Sequence, residues 1–448
     1  MQRLNYEASP VMLMPAHFTT RAARGLFLFS LFVVPFSTAL TNLSVVLLYV
    51  FFAAAAWTDR SLLASFKSRA SLAALGLLLL FVLGASWSIA PHKEIGHALV
   101  KYSKLLLIPV GIALSQRDNR LAREGVACFI AGATLLAFCS YLVWQDLMPG
   151  DPRWWSAGTR QNAYVFKNHI TFGIMTILAA LLCFSSAFHA ATQRHRLLAI
   201  ALGLFLIIPP LVLTHGRSGY FVVLVGLATL SLIHFRHNWR KLGLSGLIVA
   251  GLFVSLHTFS ANFQQRTNHL LVEIQSYANA DASKSTGVRF ADTDKANSAG
   301  IRLSFYRAGL AMIAEHPVLG LGTGAFAEAF APTAKKLWPV DAPEYAGRHQ
   351  PHSEIILICV QLGLLGGLVY GCLLWFLVLP VRQQPGLMAD NLLLLCAVFG
   401  SASVFNSLLW DVTEGHAFAL LAGCCYGVVS NKRVTKLSLV PKVAEVAA

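Results

Sequence analysis

Charge is scarce in this sequence: Asp, Glu, Lys and Arg together make up 12% of 448 residues, about half the share in an ordinary soluble domain. That shortage excludes an average soluble protein. Acidic residues are scarcer still, 20 against 35 Lys and Arg, which leaves a net charge of +15. A nucleic-acid-binding patch would gather that excess on one face. Here most basic residues fall between apolar runs, so nucleic acid is not the expected partner. Polar-loop cysteine is also missing. All eight cysteines (Cys128, Cys139, Cys183, Cys359, Cys372, Cys396, Cys424, Cys425) lie within apolar runs and no C-x-x-C pair occurs. Neither a disulfide framework nor a zinc site is indicated, and buried, inert thiols are the expectation. The alternating ten-residue strands of a membrane barrel are absent too.

What is present in quantity is hydrophobic residue, 56% of the chain. Runs of roughly 18 or more apolar residues recur, each long enough to cross a bilayer core of about 30 Å as a helix. Backbone groups must pair internally in lipid, so helices are the expected arrangement. The runs predict twelve spans, near 25–41, 43–58, 70–90, 98–115, 124–147, 168–190, 196–213, 218–234, 243–260, 354–380, 389–409 and 414–430. The fold class is therefore all-α, a polytopic membrane helical bundle. Arg3, Arg21 and Arg24 ahead of the first run imitate a signal peptide. The apolar run continues without a convincing cleavage site, which favours a retained first span.

Lysine and arginine orient the bundle. The amino terminus, 59–69, 116–123, 191–196, 235–241, 381–388 and the tail hold 19 of them, the short loops of the other set hold 7, and 9 lie in 261–353. Both termini are expected in the cytoplasm, with the tail at 431–448, and the long loop on the outer face. In a Gram-negative cell that face is periplasmic. The order is then spans one to nine in 1–260, a loop over 261–353, and three spans in 354–430. The loop is too long for a mere connector. It has helix-like stretches near 262–278 and 302–316, around a polar piece at 279–299.

Three clusters on the outer face have residues suited to chemistry. Thr214-His215-Gly216-Arg217-Ser218-Gly219 puts an arginine at a helix start among small residues, either a phosphate cradle or an anchor to headgroups. Arg302-Leu303-Ser304-Phe305-Tyr306-Arg307 opens a helix that reads to His316, stops at Pro317 and turns through Gly320, Gly322 and Gly324. Those glycines suit a phosphate loop or a tight helix-to-helix connection. No strand precedes them and the spacing is not a dinucleotide fingerprint. Arg302 has a guanidinium able to grip a pyrophosphate through two hydrogen bonds. His349-Gln350-Pro351-His352-Ser353-Glu354 leads into the span with Leu362-Gly363-Leu364-Leu365-Gly366. It sets His352, with a near-neutral pKa suited to a general base, at a helix start that a polar cap would also explain.

Other residues offer a secondary field. Lys101 and Lys104 lead into the fourth span, and Arg153, Arg160 and Lys167 lie in 148–167 with Trp154 and Trp155. Lipid headgroups or an anionic glycolipid would engage the same charges. Asp411 and Glu414 stand where they could orient an arginine or histidine, or cap the last span. Asp292-Thr293-Asp294 has the spacing of a metal-binding D-x-D but sits in the most polar stretch, and no metal or cofactor is expected.

Taken together, these clusters resemble the O-antigen ligase and polymerase superfamily of membrane glycosyltransferases, most strongly over 214–366. The resemblance implies an inverting, metal-independent transfer of glycan from undecaprenyl diphosphate to lipid A–core oligosaccharide, completing lipopolysaccharide at the inner membrane. By the same resemblance His352 matches the proposed base, and Arg217 and Arg302 the arginines that hold the diphosphate. O-antigen polymerases and protein O-oligosaccharyltransferases share these motifs. A lipid-linked glycan transporter, from another class, would place ionisable groups near the midplane of its spans, where this sequence has few.

Overall fold

The computed structural model describes residues 16–116, 118–148, 157–214, 216–259, 264, 268, 298–338 and 350–431. The helices of the first half are α1 (Ala16–Val33), α2 (Thr38–Thr58), α3 (Arg69–Gly84), α4 (His92–Tyr102), α5 (Leu107–Ser115), α6 (Asn119–Trp144), α7 (His169–Phe188), α8 (Gln193–Ile208), α9 (Arg217–Phe235) and α10 (Trp239–Phe259). Then come α11 (Ser298–Glu315), α12 (Phe326–Leu337), α13 (Glu354–Val378), α14 (Leu387–Ala402) and α15 (Val412–Val429). A small hairpin between α6 and α7, β1 (Ala157–Thr159) and β2 (Asn162–Val165), departs from the all-α expectation. None of the eight cysteines is in a disulfide.

All twelve apolar runs fold into helices, but the count of twelve spans is not reproduced. Among the described residues, eight helical segments are long and apolar enough to cross a membrane: Thr38–Thr58, His92–Ser115, Asn119–Trp144, His169–Phe188, Gln193–Leu213, Ser218–Phe235, Glu354–Gln383 and Val412–Val429. A ninth arises if the bent pair Arg60–Lys67 and Arg69–Gly84, at 81°, is one span. The shortfall has physical causes. α3 and α14 have 16 residues each, short of the roughly 20 that span a bilayer core. α1 carries Arg21 and Arg24, which lower its apolar character. The first expected span also straddles a break. α1 ends before Pro35, and Ser37 caps α2 by accepting from the Leu40 N–H at 3.2 Å.

α7 and α15 form the middle of the bundle, with 83% and 89% of their spans buried. α2, α10 and α13 instead turn Leu43, Val46, Val50, Leu247, Ile248, Leu364 and Leu368 outward, a face suited to lipid. α15 packs closely on α5: a Cβ on Gly423 would stand 2.6 Å from the Ile108 carbonyl oxygen and 3.0 Å from the Gly111 Cα. Small residues at such a crossing let two helices approach where hydrophobic exclusion adds little.

α13 is broken at Gly363, whose backbone is left-handed (φ +65°). The break frees carbonyl groups, and the turn after α11 takes them. Leu321 N–H donates to the Val360 carbonyl (2.9 Å), Gly322 N–H to the Gln361 carbonyl (2.9 Å), and Leu364 N–H to the Pro317 carbonyl (2.8 Å). Non-helical backbone of this kind is tolerated in a bundle only when protein satisfies it.

Candidate active site

The glycine turn can be settled first, because its donors are all accounted for. Besides the pairs above, Gly320 N–H donates to His316 (3.2 Å), Thr323 N–H to the Gly84 carbonyl (3.1 Å), Ala325 N–H to Gly322 (3.3 Å), and Gly324 N–H to Gln361 Oε1 (2.6 Å). No N–H from 320 to 325 remains to cradle a phosphate. A Cβ on Gly322 (φ +94°) would also sit 2.2 Å from the Ser88 Cα. These glycines are a tight connection that seats α11 against α3 and the break in α13.

His352 comes just before α13, but it is not the cap. Ser353 is, accepting from the Ile356 N–H at 3.4 Å. His352 itself adopts a left-handed backbone, φ +56°, a conformation uncommon outside glycine and one that histidine tolerates better than most residues. The Tyr306 hydroxyl lies within hydrogen-bonding reach of both the His352 carbonyl (3.2 Å) and the Val404 carbonyl (3.0 Å). The Phe305 ring centroid lies 6.2 Å from that of His352, and Phe305 in turn meets Phe330 at 5.1 Å. α11 thus supports His352 through two successive aromatic residues.

Arg302 is one turn before Tyr306 on α11, and its charge acts on that phenol. Burial raises the Tyr306 pKa and Arg302 pulls it back down. Arg217 is the first residue of α9, with Gly216 at the cap position, and its side chain lies outside the described structure. The start of α9 reaches the same turn that Tyr306 holds, for Phe221 meets Phe405 edge-on at 5.1 Å. Arg302, the start of α9 and His352 are thereby gathered at one end of the bundle, around residues 403–406.

Beneath them is a charged network that spacing in the sequence does not reveal. Glu354, fully buried at the start of α13, accepts from the Tyr102 hydroxyl at 3.0 Å and from the N–H groups of Leu409 (2.8 Å) and Trp410 (3.2 Å). Its own N–H points to the Ser403 (2.9 Å) and Asn406 (3.2 Å) carbonyls. Tyr102 stacks on Phe81 at 3.7 Å. Lys104 is buried as well, donating to the Asp411 carbonyl at 2.7 Å. A Cβ on Gly415 would stand 2.5 Å from the Lys104 side chain, so the glycine makes room for the lysine.

Lys104 is therefore enclosed, whereas Lys101 lies over the Trp410 ring at 5.7 Å. Lys167 is buried against the Thr38 hydroxyl. Burial lowers its pKa to about 8, with Glu414 opposing. Burial likewise raises the Asp411 carboxyl, while Lys104, Lys101 and a hydrogen bond from Gln350 lower it. The sequence leaves Asp411 and Glu414 either to orient an arginine or histidine or to cap the last span. Asp411 stands at the cap position of α15 without a side-chain capping bond, and lysines lie close to both carboxyls. Arg160, at the tip of the hairpin, pairs with Asp146 at 3.4 Å with both side chains mostly exposed, an ion pair of little energetic weight. Arg153, His349 and the Asp292-Thr293-Asp294 motif lie outside the described residues.

Residues 202–371 match the family model described as O-antigen ligase. Over this stretch, less than half of its length, the chain is similar to the O-antigen ligase family. The matched stretch runs from α8 to the middle of α13 and so includes Arg217, Arg302, Tyr306, the glycine turn, His352 and the Gly363 break. Lys101, Lys104, Lys167, Asp411 and Glu414 lie outside the match, on the helices that pack around it. No curated protein matches the chain significantly.

Proposed function

We propose that this protein is an O-antigen ligase proper, transferring glycan from undecaprenyl diphosphate to lipid A–core oligosaccharide with inversion and without a metal in the reaction. The observation that carries this reading is the gathering of His352, Arg302 and the start of α9 at one end of the bundle, inside the family-matched stretch. His352 takes the proton from an acceptor sugar hydroxyl as that oxygen attacks the anomeric carbon. The bond from that carbon to the diphosphate oxygen breaks on the opposite face, and the lipid diphosphate leaves with the electron pair. Arg302 and Arg217 stabilise its growing charge. The lipid tail reaches the site sideways between helices, which accounts for an enzyme built within the inner membrane with its site at the periplasmic face.

Reconstituted transfer tests the proposal. Purified protein is given lipid-diphosphate-linked glycan and lipid A–core, with and without chelator. Capped core is expected in both arms, and loss of product with chelator while the thermal midpoint holds would overturn metal independence. His352→Asn is the informative variant, because asparagine also tolerates the left-handed backbone. A fall of at least about 100-fold, in the range general-base catalysis contributes, with the protein still monodisperse, is the expected outcome. Wild-type rates in His352→Asn would remove the base. Longer lipid-linked glycan without capped core would make the protein a polymerase.

A further inference from the structure

At the end of the bundle opposite His352, three side chains from three helices meet. His189 follows the last residue of α7, His234 is in the last turn of α9, and Asp390 is in the first turn of α14. One ligand atom from each lies within 4.8 Å of the others. His189 Nε2 is 2.7 Å from Asp390 Oδ2, and His234 Nε2 is 3.5 Å from the same oxygen. The His234 ring is stacked on Phe188 at 3.8 Å and 13°, which fixes the direction in which its nitrogen points.

A hydrogen-bonded trio would account for His189 but not for His234. Its Nε2 is buried and has no hydrogen-bond partner, though it is aimed at a carboxylate oxygen just beyond bonding distance. An ion between the three atoms would satisfy both nitrogens at once. A tetrahedral ion bound at 2.0–2.1 Å holds its ligand atoms about 3.3 Å apart. The His234 separation is already close to that, and a small rotation of His189 opens the other. Two imidazoles with one carboxylate disfavour Mg2+ and Ca2+, which prefer all-oxygen shells, and suit Zn2+ and its neighbours. His189 is the most exposed of the three, leaving solvent to supply a fourth ligand.

We propose that His189, His234 and Asp390 form a binding site for a borderline divalent transition ion such as Zn2+. The ion ties together α7, α9 and α14, whose opposite ends carry His169, Arg217 and the 403–406 turn. Its place is structural, since α7 alone has 20 residues, about 30 Å of helix between it and the candidate active site.

The test uses the full chain in detergent, stripped with chelator, passed through a sizing column and titrated with Zn2+ or Co2+ alone. The expected result is one tightly held Zn2+ per chain, a higher thermal midpoint, and visible Co2+ bands of a low-symmetry site. Asp390→Asn and His234→Gln are each expected to weaken binding by at least about tenfold and to abolish the midpoint shift, with circular dichroism unchanged. If either variant elutes as aggregate, His189→Ala replaces it, since that side chain is the least enclosed. Wild-type protein that retains no Zn2+, or variants that bind it as tightly as wild type, would overturn the proposal.

Discussion

At the His352 end of the bundle, Lys101, Lys104, Lys167, Glu354, Asp411 and Glu414 lie close together on segments from α4 to α15, with backbone partners for Glu354 and Lys104 and side-chain partners for Lys167 and Asp411. At the other end, among the described residues, His189, His234 and Asp390 meet, and the His234 Nε2 makes no hydrogen bond. The first arrangement draws its partners from within the protein. The second is incomplete. A closed network fixes positions, as the proposed transfer reaction requires of the loops above it. An open one waits for a ligand.

The largest effect that would sharpen this contrast is expected at Glu354. Glu354→Ala leaves the Tyr102 hydroxyl and the Leu409 and Trp410 N–H groups without an acceptor. Each unsatisfied buried group costs about 1–3 kcal/mol, so thermal unfolding in detergent is expected to show a loss of several such units, on the order of 3 kcal/mol or more. Glu354→Gln keeps an oxygen acceptor and recovers part of it. Asp390→Ala in metal-free protein removes one short hydrogen bond and costs only about 1 kcal/mol. Equal losses at both ends would break the comparison.

A smaller effect tests how the network reaches His352. Tyr306→Phe keeps the ring but removes the hydroxyl between the His352 and Val404 carbonyls. Stability is expected to fall by about 1 kcal/mol. A transition state misplaced by a similar energy lowers the transfer rate by up to about tenfold. An unchanged rate would mean that the left-handed backbone of His352 is held by its chain neighbours alone.

The helical class and the whereabouts of nearly every apolar run were legible, because twenty-residue apolar segments have few other fates in lipid. Their ends were less so. The first span was drawn through Pro35 and Ser37, two signals of a stop and a fresh start that the surrounding hydrophobic residues outweighed. His352, Arg302 and Arg217 stood out as polar groups at helix starts, and the stop at Pro317 was read correctly. Glu354 was visible only as part of a motif. Its partners are Tyr102, 252 residues away, and Leu409 and Trp410, more than 50 residues on. No local pattern pairs residues so distant. The same holds for His189, His234 and Asp390, each of which is an ordinary polar residue near a helix end until three helices bring them together. The left-handed backbone of His352 had no signal either, since no glycine or asparagine marks it.

The finest distinction between the two ends concerns proton uptake. Burial holds Lys167 at a pKa of about 8 in the folded protein, against about 10.4 for an unperturbed lysine in the unfolded chain. Below pH 8 the ammonium is charged in both states, and this lysine adds no slope. Between pH 8 and about 10.4 the unfolded chain holds a proton that the folded protein has released. Stability therefore rises with pH across that window, by at most about 1.4 kcal/mol per unit. Lys167→Met removes the rise. The difference in thermal midpoint between variant and wild type is expected to favour the variant near pH 7.5 and to shrink steadily toward pH 9.5. Other buried groups titrating in that range are shared by both proteins and cancel in the difference. A difference independent of pH would show that Lys167 keeps its ammonium throughout, held by Glu414 more strongly than burial opposes it, and the network at the His352 end would then be a set of fixed ion pairs.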